Sequence, residues 1–200
     1  MSRCVDLLNV VASIAFLLAS ANSQAQNVIE WDEGYTLQFT DFQSKSTKIG
    51  QGTTYSLHST AAMDFSFYMS AYEFMFTKNF NSKVKCTFTR DAAYIIAPDN
   101  STAASLLTFA RYEFDLQELY ARKFRKRIFE EKGAFSSVNF LQPIYDSLQK
   151  ELAERHANAG ALSDIGIKET ELQTLHAAVK QEISELAEFC KTCKPAKKKK

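Results

Sequence analysis

Imidazoles, carboxylates and cysteines are where chemistry would have to start in this chain. The three histidines, His58, His156 and His176, are scattered, with no i, i+4 pair among them. Zinc sites built on one helix need two imidazoles a turn apart, so a site here would require the fold to converge distant residues. Carboxylates gather at Glu113, Asp115, Glu118, Glu130 and Glu131. Glu113 and Glu118 are separated by a spacing that turns them more than about 100° apart around a helix, which is poor geometry for a paired acid and base. There is no G-x-S-x-G elbow and no phosphate loop; Gly50-Gln51-Gly52 is a turn. The run Ala121-Arg122-Lys123-Phe124-Arg125-Lys126-Arg127 is the densest cationic patch. It could hold an anionic partner, but the simpler reading is a solvated helix end whose cations complement the helix dipole and pair with Glu130 and Glu131.

Cys4 precedes the first apolar run, whereas Cys86, Cys190 and Cys193 lie in the body of the chain. The pair Cys190-Lys191-Thr192-Cys193 has C-x-x-C spacing, yet no second C-x-x-C exists to complete a zinc site, and the pair stands almost at the chain end. In an oxidising compartment, one disulfide and one leftover thiol are expected. A bridge from Cys86 to Cys190 or Cys193, stapling the last helix to the sheet, is the expected pairing.

An oxidising compartment is implied by the first 25 residues. Arg3, an apolar run from Leu7 to Leu18 and a small polar stretch follow one another as the three regions of a cleavable signal peptide. The run is short for a membrane span. Cleavage fits after Ser23 or, preferably, after Ala25, so the mature chain is expected to begin near Gln26. Its loss removes one cation, Arg3, and one anion, Asp6, leaving the formal charge at +1. No general attraction to nucleic acid or to a membrane surface follows from that charge. No later stretch reaches spanning length, so a soluble exported protein is expected, with residues 26–193 as a single domain and 194–200 as a lysine-rich tail. The 16 Phe and 8 Tyr of the chain supply enough large apolar surface to fill one core.

The elements change character at Pro98. Before it, the alternation of aromatic and β-branched residues predicts strands at Tyr35 to Thr40, Tyr55 to His58, Lys83 to Phe88 and Ala92 to Ile96. A longer strand is predicted through Met63, Phe65, Phe67 and Met69, with a phase flip near Ser70 to Tyr72, Phe74 and Phe76 that suggests a bulge or a break. After it, Asp99, Asn100 and Ser101 offer helix-start chemistry, a better use of Asn100-Ser101-Thr102 than its match to a glycosylation sequon. A long helix is predicted from Thr102 to Lys132, with Leu107, Ala110, Phe114, Ala121, Phe124 and Ile128 in one apolar stripe. After a connector at Ala134 to Asn139, a second helix is predicted from about Gln142 to His156, a loop from Gly160 to Gly166, and a third helix from about Lys168 to Phe189 along Leu172, Leu175, Val179, Ile183 and Leu186. Strands first and helices afterwards predict an α+β domain, an antiparallel sheet followed by three helices, one of them long, packed on one face.

The segment Leu106 to Lys126 resembles the signature helix of a family of exported bacterial proteins, a domain of unknown function described as a predicted secreted zinc-dependent protease. Members carry H-E-x-x-H, then Phe-Asp, a Glu and an Ala-Arg pair. The trailing half is matched by Phe114-Asp115, Glu118 and Ala121-Arg122. Leu37 to Phe42 is similar to the family's opening strand and turn, and Ser59 to Phe67 to its next strand, so the resemblance spans roughly residues 31–132 and implies a zincin-like fold. The leading half departs. Phe109 and Glu113 stand at the two histidine positions and Ala110 at that of the catalytic glutamate. A zinc peptidase needs the two imidazoles for the metal and the glutamate to take a proton from its water. The resemblance therefore implies a degenerate member without catalytic residues, metal or cofactor, in which the apolar stripe and the Glu118, Arg122 and Arg125 positions support the fold.

The expected function is that of a non-catalytic exported module, periplasmic or extracellular, which binds or scaffolds an unknown envelope partner that is not nucleic acid. Two alternatives come from other classes. One is a hydrolase with a relocated metal site recruiting His58, His156 or His176 to Glu113; the other is an envelope protein disulfide-linked to its partner through the leftover thiol.

Overall fold

Val84, Cys86 and Phe88 are buried while Lys85, Thr87 and Thr89 between them are only half covered. That period of two makes Val84–Thr89 (β5) a strand with one face on the core. The computed structural model describes residues 27–65, 70–133 and 136–196. The expected signal peptide, the end of the lysine tail, part of the Met63 to Met69 segment and the start of the 134–139 connector lie outside the described residues.

β5 is the middle of a three-stranded antiparallel sheet, between Val28–Glu30 (β1) and Ala62–Phe65 (β4). Ile29 pairs with Phe88, and Met63 with Cys86. A second sheet places Tyr94–Ala97 (β6) between Lys48–Ile49 (β2) and Ser56–His58 (β3). β3 runs antiparallel to β6, and β2 parallel to it.

Both sheets meet one helix, Asn100–Glu131 (α2), introduced in the chain after the short helix Ala71–Phe76 (α1). Its 32 residues extend for about 48 Å. The Asp99 carboxylate accepts from the Thr102 backbone N–H at 2.7 Å and caps its start. The expected stripe is buried throughout, but so are Leu106, Phe109, Tyr112, Leu116, Leu119 and Tyr120 on other faces. α2 is therefore a spine, with sheet on one side and Leu141–Ser163 (α3) and Glu169–Glu185 (α4) on the other. Among the described residues no helix is long and apolar enough to cross a membrane.

The α+β order of elements is as expected, with local departures. Tyr35 to Thr40 forms no strand, because the buried Asp41 carboxylate captures the local chain. Its Oδ2 accepts from Tyr35 Oη and from the Gln38 backbone N–H, both at 2.7 Å, and a 3-10 turn follows at Phe39–Asp41. The phase flip near Ser70 is the break of the two expected alternatives, a change of element rather than a bulge. The Ser70 hydroxyl accepts from the Glu73 N–H at 3.0 Å and starts α1, which buries Phe74 and leaves Tyr72 and Phe76 exposed. α3 continues past His156 and through Gly160, against which the Phe109 ring packs; a Cβ there would only make ordinary van der Waals contact with it. The turn comes later, at Asp164, Ile165 and Gly166, all with positive φ. Gly166 is required there, since a Cβ would stand 2.4 Å from the Ser105 carbonyl oxygen of α2. α4 ends at Glu185, and Phe189 belongs to a separate 3-10 turn at Ala187–Phe189.

The expected bridge from Cys86 to Cys190 or Cys193 does not form. Cys190 and Cys193 are joined to each other, and Cys86 is a free, buried thiol. The cause is local. The Cys193 N–H donates to the Cys190 carbonyl at 3.1 Å, so the chain turns back within four residues and brings the two side chains together. Cys86 points instead from the core face of β5 toward α2, its Sγ 3.6 Å from the Phe114 carbonyl oxygen.

Candidate functional site

α2 carries every position of the resembled motif, so its register decides what each can do. Phe109 is only 2% exposed. Its ring packs near Tyr112 and His156, with centroids at 5.7 and 5.9 Å, and a Cβ on Gly160 of α3 would lie 3.7 Å from its Cζ. Ala110, one residue on, is fully buried and offers no proton acceptor. One turn after Phe109, Glu113 reaches α3, where its Oε1 lies 2.5 Å from His156 Nε2. That bond raises the pKa of His156 above the usual imidazole value, against the opposing effect of partial burial.

The matching half of the motif is buried in polar contacts that join elements. Phe114 sets its ring edge-on against Phe88 of β5. Asp115 accepts from Trp31 Nε1 at 2.7 Å through Oδ1 and meets His176 Nε2 of α4 at 2.6 Å through Oδ2. Glu118 lies 2.9 Å from both Arg122 Nε and Arg125 Nη1. Arg122 also donates to the Ile183 carbonyl of α4 at 2.8 Å, and its guanidinium lies over the Trp31 ring. Arg125 donates to the Val84 carbonyl of β5 at 2.7 Å and to the Phe189 carbonyl at 3.0 Å. Ala121 is fully buried between these groups in the sequence. Two charges of the cationic run are thus interior rather than solvated. The others pair: Lys123 with Glu182, Lys126 with Glu130, and Arg127 with Glu131.

A cavity of about 320 Å3 opens beside this network, lined by Trp31, Cys86, Glu118, Arg122, Arg125 and Cys190 among others. Burial pushes the Cys86 thiol well above its ordinary pKa, and Glu118 adds to the effect. Cys86 is therefore an unreactive thiol rather than a nucleophile.

The histidines do not converge. His58 is exposed and stacks on Tyr94, His176 is held by Asp115, and only His156 reaches Glu113. Among the described residues no group of three His, Cys, Asp or Glu side chains is placed to hold a metal ion. The resembled zinc site fails on its donors as well. Phe109 is a packed core ring, Ala110 has no donor atom, and the carboxylate of Glu113 already bonds His156. The residues present do not fit a zinc ion.

Sequence reasoning overlooked Gln117. One turn beyond Glu113 on the same face, it lines a cavity of about 280 Å3 together with Ser59, Ala61, Glu113, Leu116, Leu152, Ala153 and His156. Glu113 Oε2 and Gln117 Oε1 are buried and have no hydrogen-bond partner among the described residues. Each such acceptor costs about 1–3 kcal/mol if nothing fills it. The i, i+4 spacing of Glu113 and Gln117 was the available signal; that α3 would close over them was not readable. No protein-family model, no curated protein and no solved structure matches this chain.

Proposed function

We propose that the chain is an exported, zincin-like module without peptidase activity, which binds or scaffolds a partner in the cell envelope, periplasmic or extracellular. Export is carried by the signal-peptide pattern of residues 1–25, and the zincin-like reading by the resemblance of residues 31–132. The observation that carries the non-catalytic reading is the burial of Phe109, packed between α2 and α3 where a first metal ligand would stand. The rest of the motif supports it. Asp115, Glu118 and Arg122 spend their polar atoms on Trp31, His176, Arg125 and the Ile183 carbonyl, which is structural work.

A hydrolase with a relocated metal site draws on the Glu113–His156 contact, but neither His58 nor His176 joins it as a third ligand. A disulfide-linked partner would need an accessible thiol, and of the described cysteines Cys86 is buried and the other two are paired. A nucleic-acid partner is not proposed, since the cationic run is paired or buried.

The test is incubation of the purified protein with an unfolded protein substrate, with and without added zinc. A module without peptidase activity leaves the substrate intact in both conditions. Zinc-dependent cleavage that disappears in Glu113→Ala or His156→Ala would contradict the non-catalytic reading.

A further inference from the structure

The three most exposed large apolar side chains among the described residues all stand on α1: Tyr72 at 74%, Phe76 at 63% and Met75 at 55%. Their i, i+3, i+4 spacing puts them on one face of the helix, while Phe74 on the other face is buried. Side chains this exposed project from the surface instead of lining a groove, which suits entry between lipid headgroups better than a flat contact with a protein. Cations gather around them. Lys132, at the end of α2, donates to the Met75 carbonyl at 3.3 Å, and its ammonium lies 4.9 Å over the Phe74 ring. Burial lowers the pKa of Lys132, and the like charge of Lys78 adds to the effect. Lys78 is exposed, and no carboxylate among the described residues pairs with it. The acid of α1, Glu73, is taken by Lys83 at 3.2 Å. The C-terminal segment adds more positive charge at the same place. Asn79 and Asn81 donate their side-chain N–H groups to the Cys193 carbonyl at 2.9 and 3.1 Å, in the turn that the Cys190–Cys193 disulfide closes. Asn79 follows Phe76 by three residues, at most about 11 Å of chain, so the lysine-rich sequence from Lys194 begins beside α1. Glu188 accepts from the Ala196 N–H there, but Lys194 and Lys197 to Lys200 outnumber it. The formal charge of +1 for the whole chain conceals this local concentration.

We propose that α1 docks the protein on an anionic lipid surface, with Tyr72, Met75 and Phe76 entering the interface and Lys78, Lys132 and Lys194 meeting the headgroup phosphates. Apolar insertion and lysine attraction are each weak alone and hold together as a pair. The contact is interfacial, in keeping with the absence of a membrane-spanning helix among the described residues. Lys132 lies about 35 Å along α2 from Phe109, so the proposal goes beyond the non-catalytic reading and does not depend on it.

The experiment is a titration of the full-length chain carrying Phe76→Trp with vesicles of equal parts phosphatidylglycerol and phosphatidylcholine. The new indole emission should shift to the blue and be quenched by lipid brominated on its acyl chains. Trp31, the one native tryptophan, lies under the Arg122 guanidinium, and its emission in the unaltered protein should not respond. The readout is local to α1, so attachment through the apolar run at Leu7 to Leu18 does not imitate it. Vesicles of phosphatidylcholine alone should bind at least about tenfold more weakly by the same emission. In co-sedimentation, Met75→Gln combined with Phe76→Gln should weaken binding by about tenfold or more, both positions being exposed and glutamine a good helix former. Should that double variant fail to fold, the Phe76→Trp emission decides. Binding that leaves this emission unchanged overturns the proposal, as does equal response to the neutral vesicles. No response to any vesicle, the outcome for a surface meant for a protein partner, overturns it too. Such a failure leaves the non-catalytic reading standing, and zinc-dependent cleavage in the peptidase test would overturn that reading without touching this one.

Discussion

Glu118 and Arg125 meet two turns apart on α2, with Glu118 Oε1 2.9 Å from Arg125 Nη1 and Oε2 3.4 Å from Nη2. Both side chains are almost wholly buried, and Arg122 closes the group from the intervening turn. The arginines pass the contact on to β5, to α4 and to the Phe189 turn through backbone carbonyls. A carboxylate one turn from one arginine and two turns from another thus becomes the clasp between the spine and its neighbours.

Glu118→Ala leaves two guanidiniums buried without their counter-charge. It is expected to destabilise the fold by about 3–5 kcal/mol, as removal of one partner from a buried ion pair does. Urea denaturation measures this. A loss no larger than that of Glu131→Ala, whose pair with Arg127 is exposed, would show the clasp to be unimportant.

His156 gives the stability a pH dependence with a definite sign. Its folded pKa is raised above 6.5 by the bond to Glu113. The stabilisation is therefore present in full below about pH 6.5, its unfolded value, and is lost as pH rises through the raised folded value. The gap in urea midpoint between the unaltered protein and His156→Gln should narrow from pH 5.5 to pH 8.5. A gap that holds constant or widens over that range would contradict the pairing.

Cys86 should resist alkylation in the native protein and react fully in denaturant, because burial both hides the thiol and disfavours its thiolate. Cys190 and Cys193 should react only after reduction. Peptide mapping of iodoacetamide-treated protein checks both points, and a mapped peptide linking Cys86 to either of the others would restore the bridge expected from sequence.

What could be read from the chain depended on the range of the forces involved. Helix α2 was legible because Asp99 caps it, no Gly or Pro interrupts it, and its stripe repeats at helical period. The α+β order was legible for the same local reasons. The short strand at Tyr35 was misread because its alternation is outweighed by one carboxylate, Asp41, whose bonds to Tyr35 and Gln38 are local but whose burial against Arg90 is not. α1 was misread as strand because Tyr72, Phe74 and Phe76 alternate, although Ser70 and Glu73 carry a helix-start spacing that argued the other way. α3 was cut short because Gly160 reads locally as a stop, whereas packing against Phe109 and Ile165 carries the helix through it to Ser163.

The site divides in the same way. That Phe109, Ala110 and Glu113 lack a zinc-binding set was visible in their residue types alone. That Glu118, Arg122 and Arg125 support the fold was also readable, but their partners, the carbonyls of Val84, Ile183 and Phe189, come from segments up to 64 residues away. The meeting of Glu113 with His156, and the cavity that includes Gln117, depend on how α3 crosses α2 and had no signature in spacing.

The most direct test of the non-catalytic reading is the zinc content of the protein, purified without chelator or affinity tag and measured by elemental mass spectrometry. With Phe109 and Ala110 in the core and Glu113 on His156, no stoichiometric zinc is expected. Close to one zinc per chain, lost on His156→Gln, would contradict it and establish a relocated metal centre.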